Sequence, residues 1–145
     1  MNSDHHPAAT TAPPVIQLRL VAEVDDFDTA VAFYRDQLGL PEEFFVESEG
    51  GARVAALQAG RATLEIVNPQ QRLLIDRLEV GHEVSRRVRV GFEVTDAVAA
   101  TEALTAAGAE LLAAPTETPW RSRNARLEAP AGLQITLFEE LDDAG

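Results

Sequence analysis

Arg19 and Arg89 open two octets, RLVAEVDD and RVGFEVTD, that share four positions: the arginine, Glu23/Glu93, Val24/Val94 and Asp26/Asp96. A guanidinium stays protonated, carries five donors in a planar fork and has no lone pair to give. A matched pair of arginines therefore points to recognition of a carboxylate, a phenolate or a polarised carbonyl, not to metal ligation. Glu23 and Glu93 are candidate acid–base residues on the same strands, although a general base also needs a shifted pKa and a substrate proton within reach. The remaining chemistry is narrowed by what the chain lacks. It has no cysteine, which removes disulfides, thiolate metal sites and thiol nucleophiles. All twelve basic residues are arginines, so no lysine amine is present for Schiff-base chemistry. His5 and His6 sit in the N-terminal MNSDHHPAATTAPP and read as tail residues, and His82 stands alone in a connector. No Ser-His-Asp arrangement or phosphate-cradling glycine loop is present.

The elements that must position the arginines follow from periodicity. VIQLRLVAEV (15–24) alternates Ile16, Leu18, Leu20, Ala22 and Val24 against Gln17, Arg19, Val21 and Glu23, the pattern of a strand with one packed face. Asp25-Asp26 supplies a helix cap, Phe27, Val31, Tyr34 and Leu38 form a helical stripe, and Gly39 with Pro41 ends it. Segments 42–48, 52–59 and 62–67 read as three further strands. The same order returns: a strand over 87–94, the Thr95-Asp96 cap, an alanine-rich helix closed by Gly108, and strands over 109–115, 122–130 and 133–140. The expected fold is α+β, with two tandem βαβββ modules forming one curved, partly closed mixed sheet and the helices outside. The modules span 15–67 and 87–140, joined by a connector over 68–86, with a disordered arm at 1–14 and a tail at 141–145. The outward apolar faces of 16–24 and 88–94 would meet the helices. The inward faces, with Arg19 and Arg89, would line a cavity.

The bulk numbers bound the function. A net charge of −12 argues against nucleic acid, which rewards a basic surface. No run approaches the roughly 18–20 apolar residues that cross a bilayer, and the N-terminus has neither a basic nor an apolar signal region, so a cytoplasmic location is expected.

The stretches VDDFDTAVAFYRDQLGL (24–40), RATLEIV (61–67), GFEVTDAVAATEALTAAGAEL (91–111) and TPWRSRNARLEAPAGLQITLFE (118–139) together resemble the vicinal oxygen chelate superfamily of glyoxalases, extradiol dioxygenases and bleomycin-resistance proteins. The resemblance implies a ligand in the hollow of the sheet and a homodimer with its grooves at or near the subunit interface. Metal enzymes of the superfamily place two histidines and one or two glutamates at four equivalent strand positions. Those positions correspond here to Arg19, Glu65, Arg89 and Thr136. Only Glu65 is a usual ligand, so no metal and no other cofactor is expected, and the chain is closest in character to the metal-free bleomycin-resistance-like branch. The Arg19–Glu65–Arg89 cluster either braces the two modules or leaves donors for a ligand.

Trp120, in the segment that borders the hollow in family members, is either a packed rim residue or a stacking wall. One of the adjacent Phe44 and Phe45 must face the hollow or a partner chain. Arg121, Arg123 and Arg126 read as a solvated or interface face. The expected ligand contacts are thus Arg19, Glu65, Arg89, Trp120 and Thr136, with Glu23, Glu65 and Glu93 as candidate catalytic residues. The first functional reading is metal-free sequestration or carriage of an aromatic or polar natural product. The second is a metal-independent lyase, isomerase or cyclase in which Arg polarises a carbonyl and Glu moves a proton. A metal-dependent dioxygenase or glyoxalase would require a different register.

Overall fold

The computed structural model describes residues 15–142. The expected arm over 1–14, with His5 and His6, and the end of the tail lie outside them. Each module opens with the expected strand, cap and helix. In the first, β1 (Val15–Glu23) leads into α1 (Phe27–Val31), whose first turn is capped by Asp26 Oδ1 accepting from the Thr29 amide at 3.1 Å. The helix continues over Ala32–Gln37 with a widened, i→i+5 pattern and stops at Gly39, whose φ of +88° is the left-handed conformation that favours glycine. β2 (Glu42–Glu47), β3 (Arg53–Ala59) and β4 (Ala62–Val67) complete the module. In the second, β5 (Val88–Val94) leads into α3 (Ala97–Ala106), where Asp96 Oδ1 accepts from the Ala99 amide at the same 3.1 Å. β6 (Glu110–Glu117), β7 (Ser122–Ala129) and β8 (Leu133–Glu140) follow. The connector contributes α2 (Pro69–Glu79), capped by Asn68 Oδ1 on the Gln71 amide at 2.9 Å, with Pro69 at the first helical position, where a missing N–H costs nothing.

All eight strands form one mixed sheet in the order β2-β3-β4-β1-β5-β8-β7-β6. It is not closed; β2 and β6 are its edges. The modules meet where β1 runs antiparallel to β5, in the register Arg19↔Gly91, Leu20↔Val90 and Val21↔Arg89. Leu20 and Val90 are themselves the equivalent residues of the two octets. A local two-fold axis therefore passes through that pair, and Arg19 and Arg89 fall on the same face at either side of it.

Two apolar cores form on the convex side. Phe27 and Val31 of α1 close over Ala55, Leu57 and Ile66, while Ala97 and Ala100 of α3 close over Ala125, Leu127, Ile135 and Leu137. The helices thus sit over the flanks of the sheet and not over its seam. The expectation that the outward face of 16–24 meets a helix is corrected: Ile16, Leu18 and Leu20, with Val88 beside them, face solvent. α2 takes the other side of the sheet. It touches β3 and β4 of the first module and β7 of the second, so it lies across the concave face. Among the described residues, no helix is long and apolar enough to cross a membrane.

Candidate functional site

Side chains from β2 at one edge of the sheet and from β7 near the other line a single cavity of about 820 Å³, so the sheet curves around it. Its floor is the β1–β5 seam with β4 and β8. The ladder registers fix which residues are equivalent there. Val21, next to Arg19 on its face of β1, lies opposite Glu65, and Gly91, next to Arg89 on its face of β5, lies opposite Thr136. Arg19, Glu65, Arg89 and Thr136 are therefore the four corresponding inward positions of the two modules, and all four line the cavity.

The two arginines have the same place in the repeat and different surroundings. Arg19 is the more heavily paired of the two, through one hydrogen bond, two longer ion pairs and two aromatic faces. Its Nε donates to Gln17 Oε1 at 2.9 Å, its terminal nitrogens lie 3.7 Å from Glu65 Oε1 and 4.0 Å from Glu43 Oε2, and its guanidinium sits between the rings of Phe138 and Phe44, 4.9 and 5.6 Å from their centroids. Arg89 is 8% exposed and donates one hydrogen bond, from Nη1 to Thr136 Oγ1 at 2.7 Å. Among the described residues no carboxylate lies within ion-pairing distance of it. One source of the difference is the repeat itself: β4 places the Glu65 carboxylate beside Arg19, and β8 offers a hydroxyl at the equivalent place. Burial pushes the Arg89 pKa down, and the nearby Arg126 cation adds to the effect against the pull of Glu79, Glu65 and Asp76. Burial likewise pushes the Glu65 carboxyl above the usual range, an effect the charges of Arg89 and Arg19 only partly offset.

One end of the hollow is closed and the other is open. At the closed end α2 is fastened to the second module by charge. Arg126 is completely buried; its Nη1 donates to Asp76 Oδ1 at 3.0 Å and its Nη2 to Glu79 Oε1 at 2.6 Å, and Asn124 Nδ2 donates to Glu79 Oε2 at 2.6 Å. The solvated or interface face expected of Arg121, Arg123 and Arg126 is therefore corrected for Arg126, whose inward strand position meets a polar helix instead of water. Arg121 and Arg123 do reach the surface, paired with Glu117 and Glu139. Arg72 of α2 also holds Glu23, which Arg87 approaches from the other side. Glu23 is thus tied into the closure of the hollow. Glu93 lies at the opposite end, accepting from Gln17 Nε2 at 3.1 Å. The two matched acids of the octets are separated by the length of the seam, and neither lines the cavity; only Glu65 of the three candidate catalytic residues does.

The open end is flanked by Glu43, Glu140, Pro119 and Trp120. Burial raises the Glu140 pKa against the influence of Arg19, with Glu93 and Glu43 adding to the rise. Trp120 is 45% exposed, a wall at the mouth rather than a core residue. Phe44 faces the hollow, whereas Phe45 packs edge-on against Phe27 outside it. The apolar lining comes from Phe44, Val54 and the α2 residues Leu74, Ile75 and Leu78. The sequence left the connector open between a short helix and a strand, because α2 buries Gln71, Asp76 and Glu79 along with Leu74, which blurs an apolar stripe; the Asn68-Pro69 start was its available signal.

The four superfamily positions do not fit a divalent metal. Two guanidinium groups offer no lone pair, and one carboxylate with one hydroxyl is a poor donor set for a metal that prefers histidine. Among the described residues no cluster of three His, Asp or Glu side chains is placed to hold an ion.

Two βαβββ modules joined edge to edge around a hollow, with equivalent inward positions on β1, β4, β5 and β8, define the vicinal oxygen chelate class of fold. Residues 19–138 match the family model of the glyoxalase-like domain, and the chain belongs to that family. No curated protein matches the sequence. Among solved structures, the fold is similar to methylmalonyl-CoA epimerase from Mycobacterium tuberculosis, at 19% identity and a TM-score of 0.64 over 95% of each chain. A variant of the Streptomyces coelicolor methylmalonyl-CoA epimerase, in complex with 2-nitronate-propionyl-CoA, is similar at 21% identity and a TM-score of 0.65 over 90% of this chain and 100% of that one. A glyoxalase/bleomycin resistance protein/dioxygenase superfamily member from Vibrio splendidus 12B01 is similar at 12% identity and a TM-score of 0.59, over 86% of this chain and 98% of that one.

Proposed function

We propose that this protein is a metal-free small-molecule-binding member of its family, acting in the cytoplasm, that sequesters or carries an aromatic or polar natural product in the hollow. The observation that supports this reading is the replacement of metal ligands by Arg19, Arg89 and Thr136 on the floor of an otherwise intact cavity of about 820 Å³. A cavity of that size suits a drug-sized molecule. Protein purified without chelator, analysed for zinc, iron, nickel and manganese, is expected to hold far less than one equivalent of any; one equivalent per chain overturns the metal-free reading. A thermal-shift screen of natural products is expected to give a stabilising ligand, worth about 2.7 kcal/mol at 100 times its Kd.

A second reading is favoured by Glu65. A carboxyl pushed up by burial beside a guanidinium is poised to take up and return a proton, with Arg89 polarising a carbonyl, as a metal-independent lyase, isomerase or cyclase would need. Recovery of a bound compound chemically changed, with the change lost in Glu65→Gln, would decide for the enzyme.

The same proposal includes a homodimer. The solvent-facing strip of Ile16, Leu18, Leu20 and Val88 straddles the local two-fold axis, and a self-complementary apolar face suits a second copy of the chain. Light scattering across concentrations is expected to show the dimer; a monomer at every concentration removes this assembly.

A further inference from the structure

Arg89 is a buried cation with no carboxylate in contact among the described residues, although Glu79, Glu65 and Asp76 act on it from further off. Taking a guanidinium out of water costs several kcal/mol, and proteins ordinarily offset that with a carboxylate in contact. Its repeat-equivalent Arg19 has such offsets in Glu65, Glu43, Gln17 and two aromatic rings. The buried Arg126 has them in Asp76 and Glu79. Among the described residues Arg89 has a single neutral partner, the Thr136 hydroxyl. Its other guanidinium nitrogens are not sealed away without partners, unlike Arg126 Nε, and the residue lines the hollow, so those donors open onto the cavity.

We propose that Arg89 is the anion anchor of the hollow, and that the ligand carries one acidic oxygen group, a carboxylate, phenolate or sulfonate, on a flat apolar body. This rests on the reading of the hollow as a small-molecule site. The acidic group lies at the closed end against the Arg89 fork, where charge-assisted and bidentate hydrogen bonding is strongest. The apolar body extends toward the mouth between Phe44 of β2, Leu74 and Leu78 of α2, and Trp120. Arg19, already paired, contributes packing and not the anchor. Glu65, whose carboxyl burial pushes up against the charges of Arg89 and Arg19, is the acidic neighbour on the floor. The net charge of −12 makes the test sharp, because the overall field of the protein repels anions and only a local cation can reverse the preference.

The probes are anilinonaphthalene sulfonate and phenylnaphthylamine, which share one aromatic body and differ by the sulfonate. Trp120, the single tryptophan, sits at the mouth, so energy transfer from it reports probe held in the hollow. At about 0.15 M salt, where long-range fields are screened within about 8 Å, the sulfonate is expected to bind about ten- to a hundredfold tighter than the amine, the range of a charged hydrogen-bonded contact. Arg89→Gln is expected to erase that preference and leave phenylnaphthylamine affinity within about threefold. Arg89→Lys, which retains the cation, is expected to keep most of the preference and gives a second variant should the glutamine form fail to fold. Equal binding of both probes to the unaltered protein overturns the anchor while leaving the small-molecule site standing. A preference that survives in Arg89→Gln also overturns it, placing the anion elsewhere. If neither probe accepts energy from Trp120, the hollow itself fails as a small-molecule site and the anchor falls with it.

Discussion

Replacing Arg126 with methionine tests whether charge fastens α2 across the hollow. Methionine fills much of the volume and removes only the guanidinium, leaving two buried carboxylates without their cation. Removing one partner of a buried ion pair costs about 3–5 kcal/mol. The two acids do not suffer equally. Asp76 keeps the Val84 and Ser85 amides at 2.8 and 2.7 Å and the Ser85 hydroxyl, whereas among the described residues Glu79 keeps only Asn124 Nδ2. The lower end, about 3 kcal/mol, is therefore expected. In a chain of this size that lowers Tm by about 10 °C, and urea unfolding followed by circular dichroism should show the midpoint falling at an unchanged slope. Adding Glu79→Gln, which neutralises the more stranded acid and keeps an acceptor for Asn124, is expected to restore more than about 1 kcal/mol. A loss below about 1 kcal/mol in Arg126→Met, or no recovery in the double variant, refutes the claim that this cluster holds α2 in place. The acid limb adds a check. Burial raises the Asp76 pKa, but hydrogen bonds from Ser85, the Val84 and Ser85 amides and Arg126 together hold it below the ordinary carboxylate value. Its contribution is complete above that ordinary value and is lost as pH falls through the depressed one, so without Arg126 acid unfolding should begin at higher pH.

Glu65 should show the opposite sign. Its folded pKa is raised, so the folded state binds its proton more tightly than the unfolded chain, and stability falls as pH rises from the ordinary value through the raised one. Glu65→Gln removes that term, and its stability relative to the unaltered protein is expected to increase steadily over this window; a flat difference in pH-dependent urea melts counts against the raised value. Gly108 ends α3 at φ +112°, a conformation costly for any residue with a Cβ, so Gly108→Ala should destabilise by about 1–3 kcal/mol in the same melts. Leu18→Ser with Leu20→Ser should leave monomer stability nearly unchanged, because both side chains already face solvent, and should weaken self-association measured by sedimentation; unaltered self-association places the interface on another face.

The two-module plan was legible because duplication repeats what the backbone needs. The Asp26 and Asp96 caps, the alternation of β1 and β5 and the turn glycines each appear twice, so each copy supports the reading of the other. The equivalence of Arg19 and Arg89 was legible for the same reason, that of Glu65 and Thr136 came from the family resemblance, and both agree with the ladder registers. What the residues alone did not disclose is how one buried polar surface meets another. Ser122, Asn124 and Arg126 look like the wet face of a strand, and Gln71, Asp76 and Glu79 look like the wet face of a helix; against each other they are an interior. Polarity patterns report water only when no polar partner is available. The placement of α1 and α3 over the flanks was hidden too, since an apolar strand face reads identically whether a helix or a second chain covers it.

A sheet made by doubling one unit would, if the copies stayed alike, offer a bound molecule the same welcome at both ends. It could lie either way round, and mirror-related or reversed guests would be hard to tell apart. Thr136 standing opposite Glu65 in the repeat, with α2 laid over one end, removes that ambiguity. Head and tail become different words to this site, because the second copy offers a hydroxyl where the first offers a carboxylate.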